Sequence, residues 1–412
     1  MSSLDLIKAA KAASKDMALA SAATKNEVLK SISQLLETNS EEILLANKQD
    51  LAANQNLPAG LLDRLTLTTD RIEALRVQLA ELIAISDPIG ELIQDIHRPN
   101  GLNLKQVRVP FGLIGAIYEA RPNVTVDIAA MAIKTGNAIV LRGGSAAEQT
   151  NQVLVALIQE ALSQNGLPVE AVVSVDAFGR SGATAMMEAR GLIDVLIPRG
   201  SAELIRTVVE NSKVPVIETG DGIVHVFLDA TAKLDYAIDI VTNSKTQRPS
   251  VCNALETLLV HKDAVDRVLL PVLEALSQLG VVIHGDELVQ KLYPKAVPAT
   301  EADWATEYLS LDLSVKVVDS LDQALEHIHK YSSSHTESII TEDQANAERF
   351  LAEVDSAVVM VNASTRFTDG FEFGFGAEVG ISTQKLHARG PMGLNELTTS
   401  KWLVRGSGQS RA

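Results

Sequence analysis

Cysteine is nearly absent from this chain of 412 residues, which contains one, Cys252. A lone cysteine excludes a disulfide framework and any metal site built from several cysteines. Cys252 is therefore either a buried, inert thiol or a nucleophile. The chain also lacks an apolar run near the about 20 residues that span a bilayer, and its N-terminus lacks the order of a signal peptide. We expect a cytoplasmic protein whose thiol stays reduced.

Positive charge is scarce as well, because 36 Lys and Arg stand against 52 Asp and Glu, a net charge of −16. This balance argues against nucleic acid or an anionic membrane as partner, so an anionic small molecule would need a local basic pocket. The eight histidines show no close His-x-x-x-His pairing, so no metal site is expected. With 46% hydrophobic residues the composition is that of a globular protein, and the length predicts two or three domains of about 150 residues.

The first part of the chain predicts helices followed by a hairpin. Residues 1 to about 85 have helical apolar spacing, with a capping box at Thr24-Lys-Asn-Glu27 and a second helix start at Asp70-Arg-Ile-Glu73. Two strand-like runs, 91–98 and 102–109, then flank Asn100-Gly101, a strong hairpin signal. This hairpin either pairs with another subunit or is an ordinary surface hairpin.

From residue 112 onward, apolar strands alternate with helices. The predicted strands of a first segment are 113–118, 138–141, 171–175, 194–197, 214–217 and 224–228. One helix between them is read from a capping box, Ser145-Ala-Ala-Glu148, to near Gly166. A second segment contains strands 255–260, 281–283, 315–318, 338–341 and 357–361, with helices at 263–279 and 320–329 and one more before the last strand. Such alternation predicts parallel sheets in a doubly wound α/β fold, with ligands beyond the strand carboxyl ends.

Cys252 lies at the junction of the two segments, after a polar stretch and before an apolar strand. The stretch is Lys245-Thr-Gln-Arg-Pro-Ser250, and the strand is 255–260. Two cations close in sequence favour the thiolate form of a cysteine. The pattern therefore favours a reactive thiol over a buried one.

Three glycine-containing loops follow predicted strands of the first segment. They are Leu141-Arg-Gly-Gly-Ser145, Ile197-Pro-Arg-Gly-Ser201 and Glu218-Thr-Gly-Asp-Gly222. Glycines allow a backbone to approach a phosphate closely, and helix starts offer N–H donors. None matches G-x-G-x-x-G or G-x-x-x-x-G-K-[ST]. Each alone is more often an ordinary turn, but the three together favour a nucleotide site.

Four long motifs carry a resemblance to a known family. They are residues 109–127, 140–145, 244–253 and 374–393, within a similarity that runs from near the N-terminus to about Thr399. The chain resembles the aldehyde dehydrogenase superfamily and, within it, the glutamate-5-semialdehyde dehydrogenase branch (gamma-glutamyl phosphate reductases). The resemblance implies reduction of L-glutamyl 5-phosphate by NADPH to L-glutamate 5-semialdehyde, with release of phosphate, through a cysteine thioester. This is the second step of proline biosynthesis from glutamate.

The same resemblance implies an aldehyde dehydrogenase-like α/β fold. Its doubly wound cofactor-binding domain would cover residues 1–230 and carry an oligomerisation hairpin at 91–109. A second α/β domain, the catalytic one, would cover 231–365, and residues 366–412 would return to the cofactor domain and form a tail. A homo-oligomer and functional coupling to glutamate 5-kinase are implied as partners.

Residue roles follow from the motifs. Cys252 would be the nucleophile and Asn123 an amide donor to the oxyanion, although Asn123 could instead cap the helix that follows it. Glu218 resembles the general base of the superfamily, which a reductase does not need in the forward direction, so it could act in the reverse oxidation or shape the nicotinamide pocket.

Arg142 would meet the 2′-phosphate, which favours NADP(H) over NAD, and Glu307 would hold the nicotinamide ribose unless it is a solvated surface acid. The other cofactor-binding residues implied are Gly143, Ser145, Gly200, Ser201, Thr219 and Gly220. The substrate anions would meet cations among Arg121, Lys245 and Arg248, with His387 and Arg389 as weaker candidates.

Two other functions remain open at this point. A hydrolytic, NAD-linked aldehyde dehydrogenase is compatible with the Glu218 loop, and phosphate-dependent aldehyde oxidation would discriminate against it. A catalytically silent nucleotide-binding or scaffold protein is the second, and its cysteine should alkylate no faster than free cysteine.

Overall fold

The computed structural model describes residues 1–411, which form two compact units. Unit 1 comprises Met1–Thr219, Gly374–Gly380 and the residues from Met392 onward. Unit 2 comprises Gly220–Phe373 and Ile381–Pro391. The units divide after Thr219, whereas the predicted boundary followed residue 230, and the stretch after residue 366 is shared between both units rather than returning to the first. Among the described residues, no helix is both long enough and apolar enough to cross a membrane.

The helices of unit 1 precede or alternate with its strands. They are α1 Ser3–Leu19, α2 Ala22–Thr38, α3 Ser40–Ala53, α4 Ala59–Leu65, α5 Thr69–Ala84, α6 Pro122–Lys134, α7 Glu148–Gln164, α8 Gly179–Glu188 and α9 Ala202–Asn211. Its strands are β1 Leu92–His97, β2 Asn103–Pro110, β3 Leu113–Tyr118, β4 Ala138–Arg142, β5 Val172–Ser174 and β6 Val195–Arg199, together with β16 Thr398–Arg405.

Among its described residues, unit 2 has five α-helices and a main sheet of seven strands. The helices are α10 Leu234–Thr246, α11 Leu270–Gln278, α12 Glu287–Leu292, α13 Leu321–Tyr331 and α14 Gln344–Glu353. The strands are β7 Val224–Leu228, β8 Leu255–His261, β9 Val282–Gly285, β10 Val297–Pro298, β11 Asp312–Val318, β12 Thr336–Ile340 and β13 Val358–Val361. Two short strands, β14 Gly380–Ser382 and β15 Gly390–Met392, pair with each other.

Unit 1 has a parallel four-stranded sheet in the order β5-β4-β3-β6. The central strand β3 is buried along its whole length, as expected for an apolar run covered on both faces. The predicted strand 214–217 is wrong, because only Val216 bridges to Leu196. Pro215 lies in the middle of this run and has no N–H to donate to a sheet, which explains the single bridge.

Unit 2 has a parallel seven-stranded sheet in the order β10-β9-β11-β8-β7-β12-β13. Strand β7 lies between β8 and β12, so its predicted place in the first sheet is wrong. Apolar side chains of β8, α10 and α11 form one buried core, with Leu258, Val241 and Leu273 fully buried. The loop that carries Cys252 leads directly into β8, in the middle of this sheet.

Both predicted capping boxes are wrong, although their helices exist. Helix α2 begins earlier than Thr24, because the Ser21 side chain accepts the Thr24 N–H. Ser145 begins a short 3₁₀ turn, and α7 follows it without a cap from its own segment. Asp50 of α3 accepts instead from the backbone N–H groups of Gln149 and Thr150, at 3.1 and 2.9 Å. A tertiary contact from α3 thus satisfies the N–H groups at the start of α7, which a capping box within the same segment would otherwise satisfy.

The predicted hairpin is confirmed, with β1 and β2 antiparallel around Asn100-Gly101. Strand β16, which the sequence did not indicate, pairs antiparallel with the other edge of β2. The outer strands of this three-stranded sheet expose apolar side chains, including Leu92 at 50%, Trp402 at 46% and Val404 at 56%.

Buried histidines lie around the strands of unit 2. The His327 ring stacks edge-on to Trp304 with centroids 5.5 Å apart, and its nitrogens have no hydrogen-bond partner among the described residues. His335 is also buried, with Nδ1 2.8 Å from the Thr336 hydroxyl. Burial lowers the pKa of His327 to about 2 and that of His335 to about 4. Both rings are therefore neutral at neutral pH.

Candidate functional site

Cys252 is half-buried in the loop between α10 and β8, and its neighbour Asn253 fixes this loop. The buried Asn253 side chain donates to the Thr368 carbonyl at 2.8 Å, and the Thr365 hydroxyl donates to the Asn253 carbonyl at 2.7 Å. These partners lie more than a hundred residues along the chain, so sequence reasoning missed them. The nucleophile candidate is thus held on a rigid loop.

Gly222 packs directly against the Cys252 loop. A Cβ on Gly222 would overlap the Cys252 carbonyl, so only glycine fits at this position. The Gly222 N–H donates to Glu307 Oε1 at 2.8 Å. Unit 2 therefore brings together two predicted site residues, Cys252 and Glu307, which both contact Gly222. The sequence alone indicates Gly222 only as part of a glycine-containing loop. Gly220, in the same loop, donates its N–H to the Ile381 carbonyl at 3.1 Å.

Lys245 lies in the last turn of α10 and is not available to a substrate anion. Its ammonium lies 2.6 Å from Glu256 Oε2, and both side chains are 0% exposed. Burial lowers the pKa of Lys245 and raises that of Glu256 to about 7. The predicted substrate contact of Lys245 therefore needs correction, since a buried carboxylate already engages it. The sequence does contain one sign that Lys245 has a buried partner, because Glu256 is a charged residue within an apolar strand.

The other predicted substrate cations of unit 2 differ in their surroundings. Arg248, just beyond the end of α10, is exposed, as is His387. Arg389 donates to Asp355 Oδ1 at 2.9 Å. Arg248 is therefore the cation near Cys252 in sequence that remains accessible.

In unit 1, Arg142 ends β4 and is half-buried. Its Nε is buried and has no hydrogen-bond partner among residues 1–411. The next residue, Gly143, donates its N–H to Asp176 Oδ1 at 2.7 Å, and burial raises the pKa of that carboxyl. A Cβ on Gly144 would lie 2.8 Å from the Ala120 backbone nitrogen, which requires glycine there. The loop is tight, and an anion at Arg142 would satisfy the buried Nε.

The second glycine loop of unit 1 is built around Glu119. Ser201 is the N-cap of α9, and its hydroxyl lies 2.6 Å from Glu119 Oε1. Gly200 packs against the same Glu119 side chain. The buried Thr219 donates its hydroxyl to the Pro198 carbonyl at 3.2 Å. Ser145, by contrast, is exposed at the start of its 3₁₀ turn.

Asn123 lies in the first turn of α6, where Pro122 begins the helix and Arg121 is the N-cap. The alternative that Asn123 caps this helix is therefore wrong. Its amide donates instead to Asp127 Oδ2 at 3.1 Å, one turn further on. Burial raises the pKa of Asp127 to about 7. Glu218 and Arg121 are half-buried in the same unit.

No group of three or more His, Cys, Asp or Glu side chains among the described residues is arranged to hold a metal ion. The geometry provides one fixed thiol in unit 2 and, in unit 1, a guanidinium whose buried Nε has no hydrogen-bond partner in the part of the chain that the structure describes. A thiol offers nucleophilic catalysis, and a guanidinium offers phosphate recognition.

Comparisons with known proteins agree with this chemistry. A model described as the aldehyde dehydrogenase family matches residues 4–290. A gamma-glutamyl phosphate reductase of Clavibacter michiganensis is 60% identical over 98% of this chain and 94% of its own. One from Leifsonia xyli is 60% identical over 99% of this chain and 97% of its own.

Solved structures extend the similarity to the fold. The crystal structure of gamma-glutamyl phosphate reductase from Thermotoga maritima is 45% identical, with a TM-score of 0.97 over 100% of both chains. An acetylating aldehyde dehydrogenase from Geobacillus thermoglucosidasius, 15% identical, has a TM-score of 0.72 over 100% of this chain and 97% of its own, which shows the shared fold. The predicted fold class is confirmed, and the chain belongs to the aldehyde dehydrogenase family, in its gamma-glutamyl phosphate reductase group.

Proposed function

We propose that this enzyme reduces L-glutamyl 5-phosphate to L-glutamate 5-semialdehyde with NADPH, releasing phosphate, as the second step of proline biosynthesis from glutamate. The observation that carries the proposal is Cys252, a lone thiol held half-buried on a loop fixed by Asn253 and Gly222. The names of the relatives support the substrate. A reduced thiol suits the cytoplasm, where we place the enzyme.

Cys252 begins the reaction as a thiolate. The sulfur attacks the carbonyl carbon of the acyl phosphate, the C–O bond to phosphate breaks, and phosphate leaves with the electron pair, which gives a thioester on Cys252. The exposed Arg248 favours the thiolate and meets an anion of the substrate, with Arg121 and His387 as further candidates. The Cys252 backbone N–H and the Asn123 amide are assigned to the developing oxyanion by resemblance.

The residues of unit 1 fit a phosphorylated dinucleotide, because the buried Arg142 Nε has no acceptor among the described residues and a phosphate oxygen would provide one. Arg142 would hold the 2′-phosphate, and Ser145, with the turns at Gly143, Gly200, Ser201, Thr219 and Gly220, would border the remaining cofactor groups. Glu307 would hold the nicotinamide ribose. When bound, NADPH would supply the hydride to the thioester carbon, the C–S bond would break with its electron pair on sulfur, and Cys252 would return to the thiolate as the aldehyde is released.

The reverse reaction tests the function directly. With glutamate 5-semialdehyde, NADP⁺ reduction should require inorganic phosphate, because phosphate is the group that releases the acyl thioester. Turnover at the same rate without phosphate would indicate a hydrolytic aldehyde dehydrogenase and would overturn the proposal. Thiol alkylation no faster than that of free cysteine, with no turnover, would indicate a scaffold protein instead.

Replacing Arg142 by alanine should weaken NADPH binding by about ten- to a hundredfold. A hydrogen bond to a charged group contributes roughly 1.5–3 kcal/mol, and about 1.4 kcal/mol is tenfold in Kd. NADH, without the 2′-phosphate, should lose much less. Titration of both cofactors measures the difference, with Arg206→Ala, an exposed arginine of the same unit, as the control. Equal losses for both cofactors would show that Arg142 supports the loop rather than the 2′-phosphate.

Replacing Glu218 by glutamine should lower the forward rate less than tenfold. Reduction of an acyl phosphate needs no activated water, whereas a general base typically contributes about 10²–10⁴-fold. Any larger effect should be confined to the oxidative direction. The measurement is kcat in both directions with NADPH binding checked separately, and a hundredfold forward loss with binding intact would mean that Glu218 handles a proton in the reductive step.

We further propose that copies of the chain associate through the three-stranded sheet, because its outer strands expose Leu92, Trp402 and Val404. Trp402→Glu with Val404→Lys should convert the oligomer to smaller species in sedimentation experiments, while Lys401→Glu on the same strand serves as the control. Sedimentation unchanged by the double substitution would contradict this interface.

We also propose functional coupling to glutamate 5-kinase, the enzyme that makes the acyl phosphate. Co-sedimentation of the two enzymes tests this coupling.

A further inference from the structure

Three segments of unit 2 meet at the buried pair of Lys245 and Glu256. Lys245 belongs to α10, Glu256 to β8, and the third segment is the loop at 307–309 that precedes β11. Glu256 Oε2 lies 2.6 Å from the Lys245 ammonium, while Glu256 Oε1 accepts the Leu309 N–H at 3.2 Å. One carboxylate therefore serves both the ion pair and the backbone of the loop.

The Leu309 backbone has an unusual conformation. Its φ is +54°, in the left-handed region that residues with a side chain rarely adopt. The Leu309 side chain is 38% exposed, so its own packing does not impose this conformation. The backbone must be held by its neighbours. Besides Glu256, the adjacent Tyr308 hydroxyl donates to Asp303 Oδ1 at 2.7 Å, and the Tyr308 ring centroid lies 5.9 Å from the Lys245 ammonium.

The position of this loop determines where Glu307 lies. Glu307 precedes Leu309 by two residues, and its carboxylate accepts the Gly222 N–H at 2.8 Å. Gly222 in turn packs against the Cys252 carbonyl. A displacement at Leu309 would therefore reach both Glu307 and the Cys252 loop, although neither Lys245 nor Glu256 takes part in the proposed chemistry.

We propose that the buried Lys245–Glu256 pair is a positioning device, in which Glu256 Oε1 fixes the left-handed backbone at Leu309 and thereby places Glu307 and the Cys252 loop. The inference rests on the proposed function, in which Glu307 binds the nicotinamide ribose and Cys252 is the nucleophile. Replacing a buried ion pair with apolar groups of similar volume is often neutral for stability, so a purely stabilising role and a positioning role predict different results.

Two double variants separate the acceptor from the charge. Lys245→Met/Glu256→Gln removes both charges and keeps an oxygen acceptor for the Leu309 N–H, whereas Lys245→Met/Glu256→Met removes the acceptor as well. We expect the methionine variant to weaken NADPH binding by about tenfold or more, which corresponds to about 1.4 kcal/mol. We also expect the rate of Cys252 alkylation by iodoacetamide to change at least about threefold. The glutamine variant should stay within about threefold of the original protein in both measurements. Lys25→Met/Asp87→Met is the control, at an ion pair of unit 1 whose lysine is buried and whose aspartate is half-buried.

Substitutions at Leu309 test the same idea without disturbing the buried pair. The β-branched Leu309→Val should weaken NADPH binding, because valine resists the left-handed region, while Leu309→Gly adopts it without strain. These variants keep the proposal testable even where the methionine variant does not fold. Thermal unfolding midpoints verify that each variant is folded.

Several outcomes overturn the inference. The first is normal NADPH affinity and a normal alkylation rate in a folded methionine variant. The second is an equal loss of NADPH affinity in the glutamine and methionine variants, and the third is equal NADPH affinity in Leu309→Val and Leu309→Gly. Glu307→Gln distinguishes this inference from the proposed function. If Glu307→Gln weakens NADPH binding and the methionine variant does not, only the positioning role fails, whereas unchanged binding in Glu307→Gln removes the cofactor role of Glu307 itself.

Discussion

Replacing Cys252 by serine should abolish turnover in both directions, with residual activity below a few per cent. A serine hydroxyl is a far weaker nucleophile than a thiolate at neutral pH, and the described site offers no second thiol, because Cys252 is the one cysteine in the chain. NADPH affinity should stay within a few-fold, since the substitution preserves the size of the side chain. Steady-state kinetics and cofactor titration on the same preparation measure the two effects separately.

A matched control for this experiment is Thr246→Ser, which lies in the same polar stretch and keeps its hydroxyl bond to the Thr242 carbonyl. It should retain full activity. Activity above a few per cent in Cys252→Ser would refute the covalent mechanism. Loss of NADPH binding in that variant would instead mean that Cys252 supports the loop.

Replacing His327 by phenylalanine should make the stability of unit 2 less sensitive to acid. The pKa of His327 is about 2 in the folded protein and about 6.5 for an unperturbed histidine. Below about pH 6.5 the His327 ring is protonated in the unfolded chain and stays neutral in the folded one. The free energy of unfolding therefore decreases as the pH falls, by about 1.4 kcal/mol per pH unit from this residue. The difference in the free energy of unfolding, variant minus original protein, should therefore rise by about 2 kcal/mol when the pH is lowered from 6 to 4.5.

The comparison between two proteins is needed because other groups titrate in the opposite sense. Asp127 and Glu256 have pKa values raised to about 7, so the folded protein binds more protons than the unfolded chain below that pH. Urea unfolding followed by the fluorescence of Trp304 reports on unit 2, because its ring lies beside His327, provided that every protein compared also carries Trp402→Phe to remove the signal of unit 1. His97→Phe, at a ring 73% exposed, is the control and should follow the original protein. Parallel pH profiles for His327→Phe and the original protein would contradict the prediction.

Much of the fold could be predicted because the spacing of apolar residues along the sequence matches the repeat of the helix or strand that buries them. The stripe of Ile72, Leu75, Leu79 and Leu82 is buried on α5 as its spacing indicates. The Asn100-Gly101 turn similarly fixes its hairpin locally. What could not be predicted depends on distant partners. Asp50 replaces the expected cap of α7, and β16 pairs with β2 although its own sequence gives no sign of where it belongs.

The candidate site shows the same division. The motifs identify Cys252 and Arg142 by residue type, and the structure adds the contacts on which each depends. Lys245 was expected to meet an anion because it is a cation within one of the family motifs, and only the fold shows that Glu256 lies beside it. The need for glycine at Gly222 depends on the Cys252 carbonyl, a neighbour thirty residues away in the sequence.

The path of the chain also sets an order of assembly. Unit 2 is inserted between the parts of unit 1, and Gln106 of β2 pairs with Trp402 of β16. During synthesis from the N-terminus, all seven strands of the unit 2 sheet emerge before β16 does, so we expect that sheet to close first. Until then one edge of β2 has no strand beside it, and an open edge invites pairing with other chains. Limited proteolysis of ribosome-bound chains that end before Thr398 should find unit 2 protected and the hairpin cleaved. The strand that completes unit 1 therefore also ends the period in which a nascent chain is most exposed to aggregation.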